Sequence, residues 1–105
     1  MKINDEIKST IALANLYNVI DPEIGLNVVD LGLIYELSFD EEKKEILCIM
    51  TLTTKLCPMG ESLVNSVKSV LQESFTNYKI EVHLVFEPEW SYENISEEGL
   101  AFLNR

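Results

Sequence analysis

Two runs of alternating side chains, separated by the polar stretch DEEKKE, constrain this chain more than any other feature. In residues 31–39, Leu33, Tyr35, Leu37 and Phe39 alternate with Ile34, Glu36 and Ser38. In residues 46–53, Ile46, Cys48, Met50 and Leu52 alternate with Leu47, Ile49, Thr51 and Thr53. A period of two sends successive side chains to opposite faces, so each run reads as a half-buried strand. The connection is short, and the pair is expected as an antiparallel hairpin.

Helical patterns bracket the hairpin. Residues 4–20 read as a helix with Asn4 as its cap, Asp5 and Glu6 in its first turn, and Ile7, Ile11, Ala14 and Tyr17 on one stripe. Asp21-Pro22 is expected to end it, since a residue before proline is driven out of the helical region. The loop DPEIGLNVVDLG follows. Residues 58–75 form the clearest helix, with Pro58 at its first position and Leu63, Val67, Val70 and Leu71 as its apolar stripe. Residues 78–87 read as a third strand with Ile80, Val82, Leu84 and Phe86 inward and Glu81, His83 and Glu87 outward. The tail is expected to hold a short helix opened by Ser96. In the order α-β-β-α-β(-α), residues 1–105 should form one α+β domain in two layers, with helices on one face of a three-stranded sheet.

Eighteen acidic residues against eight basic ones leave a formal net charge of −10. Such a field repels phosphate backbones, which argues against nucleic acid as a partner, and it suits partners with basic surfaces. The N-terminus MKINDEIKST has no apolar signal core, and no run approaches membrane-spanning length, so no membrane role and a cytoplasmic location are expected. Cys48 and Cys57 form no CxxC pair, and in a reducing compartment they are expected to be free thiols.

The two thiols differ in address. Cys48 alternates with Ile46, Met50 and Leu52 and reads as core. Cys57 precedes Pro58 where a strand hands over to a helix, and Lys55 stands two residues before it. Helix-end amides and a nearby cation favour the thiolate, which attacks electrophiles and binds soft metals. The alternative is a small apolar plug at the junction. Asp21, Glu23 and Asp30 flank the apolar loop and could meet a metal or a basic partner; equally, they could be a turn former, a solvated charge and a loop hydrogen-bonder. Thr53 could hydrogen-bond a Cys57 site. Trp90 reads as a core plug or a partner anchor. With one histidine, His83, and no base near Cys57, neither a Cys/His zinc site nor a nucleophilic triad can be assembled.

Three segments together, DPEIGLNVVDLGLIY, TLTTKLCPMG and FEPEWSYENISEEGLAFL, resemble the PaaD-like/SufT family of metal–sulfur cluster assembly proteins, the MIP18-like domain. The resemblance implies a fold of the iron–sulfur cluster assembly (NifU C-terminal-like) type. It also implies that Cys57 is the family's reactive cysteine and a transient ligand for metal or cluster. Asp21, Glu23, Asp30 and Thr53 would shape that site, with Glu87 and Trp90 as partner contacts. Relatives often carry proline where this chain has Lys55. The implied role is an accessory factor in iron–sulfur protein maturation, a carrier or adaptor rather than an enzyme. It would hold no tightly bound cofactor, only iron or a cluster in passing. Scaffolds, carriers, apo-clients or a second copy in a homodimer would be its partners. The alternative is an assembly subunit of a multicomponent aromatic-ring (phenylacetyl-CoA-type) monooxygenase. Such relatives often carry further cysteines in a C-terminal extension, which this sequence does not contain.

Overall fold

The computed structural model describes residues 1–54 and 59–104. In chain order its elements are β1 (Lys2–Ile3), α1 (Glu6–Leu16), β2 (Ile34–Asp40), β3 (Glu45–Met50), α2 (Gly60–Ser74), β4 (Lys79–Leu84), a 3-10 turn (Tyr92–Asn94) and α3 (Glu97–Leu103). The α+β class holds, but the sheet has four strands rather than three, in the order β1-β2-β3-β4. The expected hairpin is present: β2 and β3 are antiparallel, and β4 lies parallel beside β3.

The strand missing from the expectation is β1, parallel to β2. Asn4 helps to hold it there. Its Nδ2 donates to the Phe39 carbonyl at 3.0 Å and its Oδ1 accepts from the Phe39 N–H at 2.9 Å, so one side chain imitates a strand's backbone. Asn4 is therefore not the helix cap. Asp5 is, accepting from the Lys8 N–H at 3.0 Å.

The stripe expected to bury α1 points outward: Ile7 is 76% exposed, and Ile11, Ala14 and Tyr17 are exposed as well. The buried positions are Ser9, Ala12 and Leu16. Apolar residues surround most of this helix, so periodicity alone does not choose a face. Packing against α2 chooses the face of Ser9, Ala12 and Leu16, and Asn15 Nδ2 bonds Ser74 Oγ across that contact at 2.7 Å. The helix also stops at Leu16, before Asp21-Pro22.

In β2, the pairing slips by one residue between Ile34 and Glu36. This irregularity reverses the alternation, so that Ile34 joins Leu37 and Phe39 among the buried residues while Tyr35 stays partly exposed. The core face of β3 is as expected, with Ile46, Cys48 and Met50 buried. So is the face of α2, with Leu63, Val67 and Leu71 buried; its expected first residue, Pro58, lies outside the described residues. In β4, Ile80 is buried but Leu84 is exposed, because β4 is an edge strand. Ser96 caps α3 as expected, accepting from the Gly99 N–H at 3.0 Å.

Candidate functional site

Short backbone bonds gather the singular segments of the sequence at one end of the sheet. Asp21 N–H donates to Leu26 O at 2.9 Å, and Val28 N–H donates to Val19 O at 2.9 Å, closing the loop after α1 on itself. Thr51 N–H donates to Leu33 O at 2.9 Å, which ties the start of TLTTKLCPMG to the strand that follows DLG. The C-terminal tail is tied to the same place. Trp90 Nε1 donates to Leu31 O at 2.6 Å, and Ser96 N–H donates to Asp30 O at 2.8 Å.

Gly32 makes that contact possible. Its φ is +77°, a conformation side chains rarely adopt, and a Cβ there would lie 2.3 Å from the Asn94 carbonyl oxygen. Any side chain would therefore force the tail away from DLG.

The acidic candidates have different surroundings. Asp21 is buried, and its Oδ1 accepts from the Glu23 N–H at 2.9 Å, bridging Pro22. Its carbonyl accepts from Gly25 N–H at 2.7 Å. Glu23 is exposed. Asp30 is a clasp: one carboxylate oxygen accepts from Ser96 Oγ and the other from Asn27 Nδ2, both at 2.8 Å. Thr53 is half-buried. Glu87 is exposed, and Trp90 is half-buried with its ring 5.6 Å from that of Tyr92.

Cys57 and its neighbours Lys55 and Pro58 lie outside the described residues. Their flanks are described. On one side stands Thr51, whose buried Oγ1 has no hydrogen-bond partner. Ser9 Oγ in α1 is buried and unpaired in the same way, so the unpaired hydroxyl does not by itself mark a site. The alternating pattern offered no sign of the unpaired Thr51 hydroxyl, since threonine is common in strands. On the other side α2 begins at Gly60, and its N-cap residue Met59 makes no side-chain cap bond. An open groove of about 740 Å³ runs past this helix start, lined by Asn18, Ile20, Glu61, Ser62 and Asn65 among others. The groove thus touches both the residue before Asp21 and the first turn of α2.

Cys48 is the chemical opposite of a reactive site. It is wholly buried and unpaired, and burial pushes its thiol up to about 12. Among the described residues no three His, Cys, Asp or Glu side chains cluster as a metal site. Nor is any helix among them long and apolar enough to cross a membrane. His83 stands exposed on β4, its Nε2 3.5 Å from Glu81 Oε2.

Comparison with known proteins adds a family. Residues 10–84 match the model of a family described as iron-sulfur cluster assembly protein. A Staphylococcus aureus protein named Fe-S protein maturation auxiliary factor SufT is 41% identical over 80 residues, which is 74% of this chain and 88% of that protein. Bacillus subtilis Fe-S protein maturation auxiliary factor YitW is 37% identical over 81 residues, covering 77% of this chain and 78% of its own. Among solved structures, a Bacillus anthracis domain of unknown function, DUF59, superimposes with a TM-score of 0.83 at 38% identity, over 91% of this chain and 90% of that one.

Proposed function

Because the chain belongs to the iron-sulfur cluster assembly protein family, we propose that it serves as an auxiliary factor in iron–sulfur protein maturation, with Cys57 as an exchangeable ligand. The observation that carries this reading is the convergence of segments. The three that bear the family resemblance are the three that the bonds of Leu33, Leu31 and Asp30 draw together, and one of them, TLTTKLCPMG, contains Cys57 in its sequence. The names of the relatives support general maturation over service to one hydroxylase.

Iron or a cluster is cargo in this reading. A cluster takes about four thiolate or equivalent ligands, and Cys57 is a single one, so the remainder must come from a scaffold, carrier or client. Transfer then proceeds by thiolate exchange at the metal, with the proton of the incoming thiol released to solvent. Asp21 holds the backbone turn at Glu23, whose side chain is exposed to solvent. The role is one of binding and hand-over rather than turnover.

The test is activity of an iron–sulfur client in a deletion strain carrying Cys57→Ser or Cys48→Ser. Serine stays protonated at neutral pH and binds iron weakly, so Cys57→Ser should lose the client's activity while the melting temperature is kept. Cys48→Ser places a hydroxyl among Leu37, Ile46 and Met50 and should cost about 1–3 kcal/mol of stability while sparing function in folded molecules. Full rescue by Cys57→Ser would end the thiol reading.

A further inference from the structure

Between the loop after α1 and the C-terminal tail lies a groove of about 350 Å³, walled by Ile24, Leu31, Trp90, Tyr92, Leu100 and Leu103. Leu31 is its floor, fully buried, while Tyr92 and Leu100 are exposed at the rim. The Trp90 indole N–H is already engaged by Leu31 O, so the groove presents mostly ring and aliphatic surface, with Tyr92 and Asn104 as its polar lining residues. Its size suits one or two bulky side chains.

Among the described residues, the charged side chains next in sequence to its walls are all acidic. All its walls come from residues 9–42 and 80–104, which contain no lysine and no arginine. Glu23 adjoins Ile24, Glu89 adjoins Trp90, Glu93 adjoins Tyr92, and Glu97 and Glu98 form the turn before Leu100; all five are exposed. Arg105, the basic residue closest in sequence, lies outside the described residues. The cations Lys8 and Lys44 are taken up at Glu41, in the β2–β3 turn.

We infer that this groove docks a partner protein through a segment that inserts a large aliphatic or aromatic side chain and carries lysine or arginine on both flanks. Apolar walls supply the anchor's burial, and the acidic rim selects the flanks and speeds encounter. A second copy meeting it face to face would bring the same acidic rim and be repelled, so charge favours a basic partner over a symmetric dimer at this face. The inference rests on the reading of the chain as a factor that works by contact with other proteins, but it makes no use of Cys57.

The experiment uses a synthetic peptide with a Leu-Phe centre flanked on each side by lysines and free of tryptophan, so that Trp90, the chain's one tryptophan, reports binding by its fluorescence. Amide chemical shifts locate the peptide independently. Expected are shifts at Ile24, Trp90 and Leu100, and an affinity at least about tenfold weaker when the centre is Ala-Ala, when the flanks are glutamate, or when the protein carries Leu100→Glu. Tyr92→Glu, at a more exposed position, repeats the test with less burial lost. Cys57→Ser should bind the peptide unchanged, so loss of the thiol function and loss of docking are separate results. Equal binding of the Ala-Ala peptide, shifts confined to another face, or a concentration-dependent dimer abolished by Leu100→Glu would each overturn the proposal.

Discussion

Environment, not residue type, separates the two cysteines. The Cys48 side chain points from β3 into the core, where burial raises its thiol to about 12, so it is held as the thiol at neutral pH. Cys57 shares none of that alternating apolar frame, and the residues around it in sequence are Lys55, Leu56 and Pro58. Brief labelling of the folded protein with iodoacetamide, read by mass spectrometry, should therefore modify Cys57 first. Equal or faster modification of Cys48 would sink the assignment of roles. Asp21 and Asp30 show the same dependence on surroundings. Both are acidic and both sit in one loop, yet one braces a proline turn and the other clasps the tail.

Elements are joined here by Glu41. Sitting in the turn between β2 and β3, it forms an ion pair with Lys8 of α1, another with Lys44 at 3.1 Å, and accepts from Tyr78 Oη, next to the start of β4, at 2.7 Å. The Lys8 ammonium is the largest cause, ahead of the Tyr78 hydroxyl, that lowers the Glu41 carboxyl to about 2 from 4.5. A carboxylate so depressed contributes stability above the unfolded value and loses it as pH falls from about 4.5 to about 2. Glu41 is solvent-exposed, so salt should screen much of the effect. The urea midpoint of Glu41→Gln should lie below wild type at pH 6, and the gap should close between pH 4.5 and 2 and shrink in high salt. Two midpoint curves that stay parallel across that window would show that Glu41 does not join these elements.

At the scale of the whole molecule, ligand count and charge set what the protein can do alone. One Cys57 per chain, and no described cluster of three metal-binding side chains, falls short of the roughly four ligands a cluster uses. Iron and sulfide analysis of anaerobically purified protein should accordingly find well under one cluster per chain. A full cluster kept by an isolated monomer would mean that ligands have been overlooked. The charge of −10 is unevenly spread: the longest stretches without a cation supply the loop and tail, and these form the groove. Exposed glutamates thus adjoin, in sequence, the residues that wall the apolar recess.

What the sequence determined by itself was everything with a local cause. Alternation marked the buried face of β3, the spacing of Leu63, Val67 and Leu71 marked that of α2, and Ser96 marked the start of α3, because each signal is read within a few residues. The family was legible too, since its motifs are contiguous. Tertiary structure alone decided the rest. α1 carries two competing apolar stripes, and only contact with α2 selected Ala12 and Leu16 over Ile7 and Ile11. β1 exists because Asn4 finds Phe39, thirty-five residues away, and the alternation of β2 breaks at a pairing slip opposite β3. The groove has the same origin: Ile24 and Leu100 belong to distant segments, and they meet because Trp90 bonds Leu31 and Gly32 leaves room for Asn94. Choices among such partners rest on long-range burial and hydrogen bonding, which no local pattern encodes.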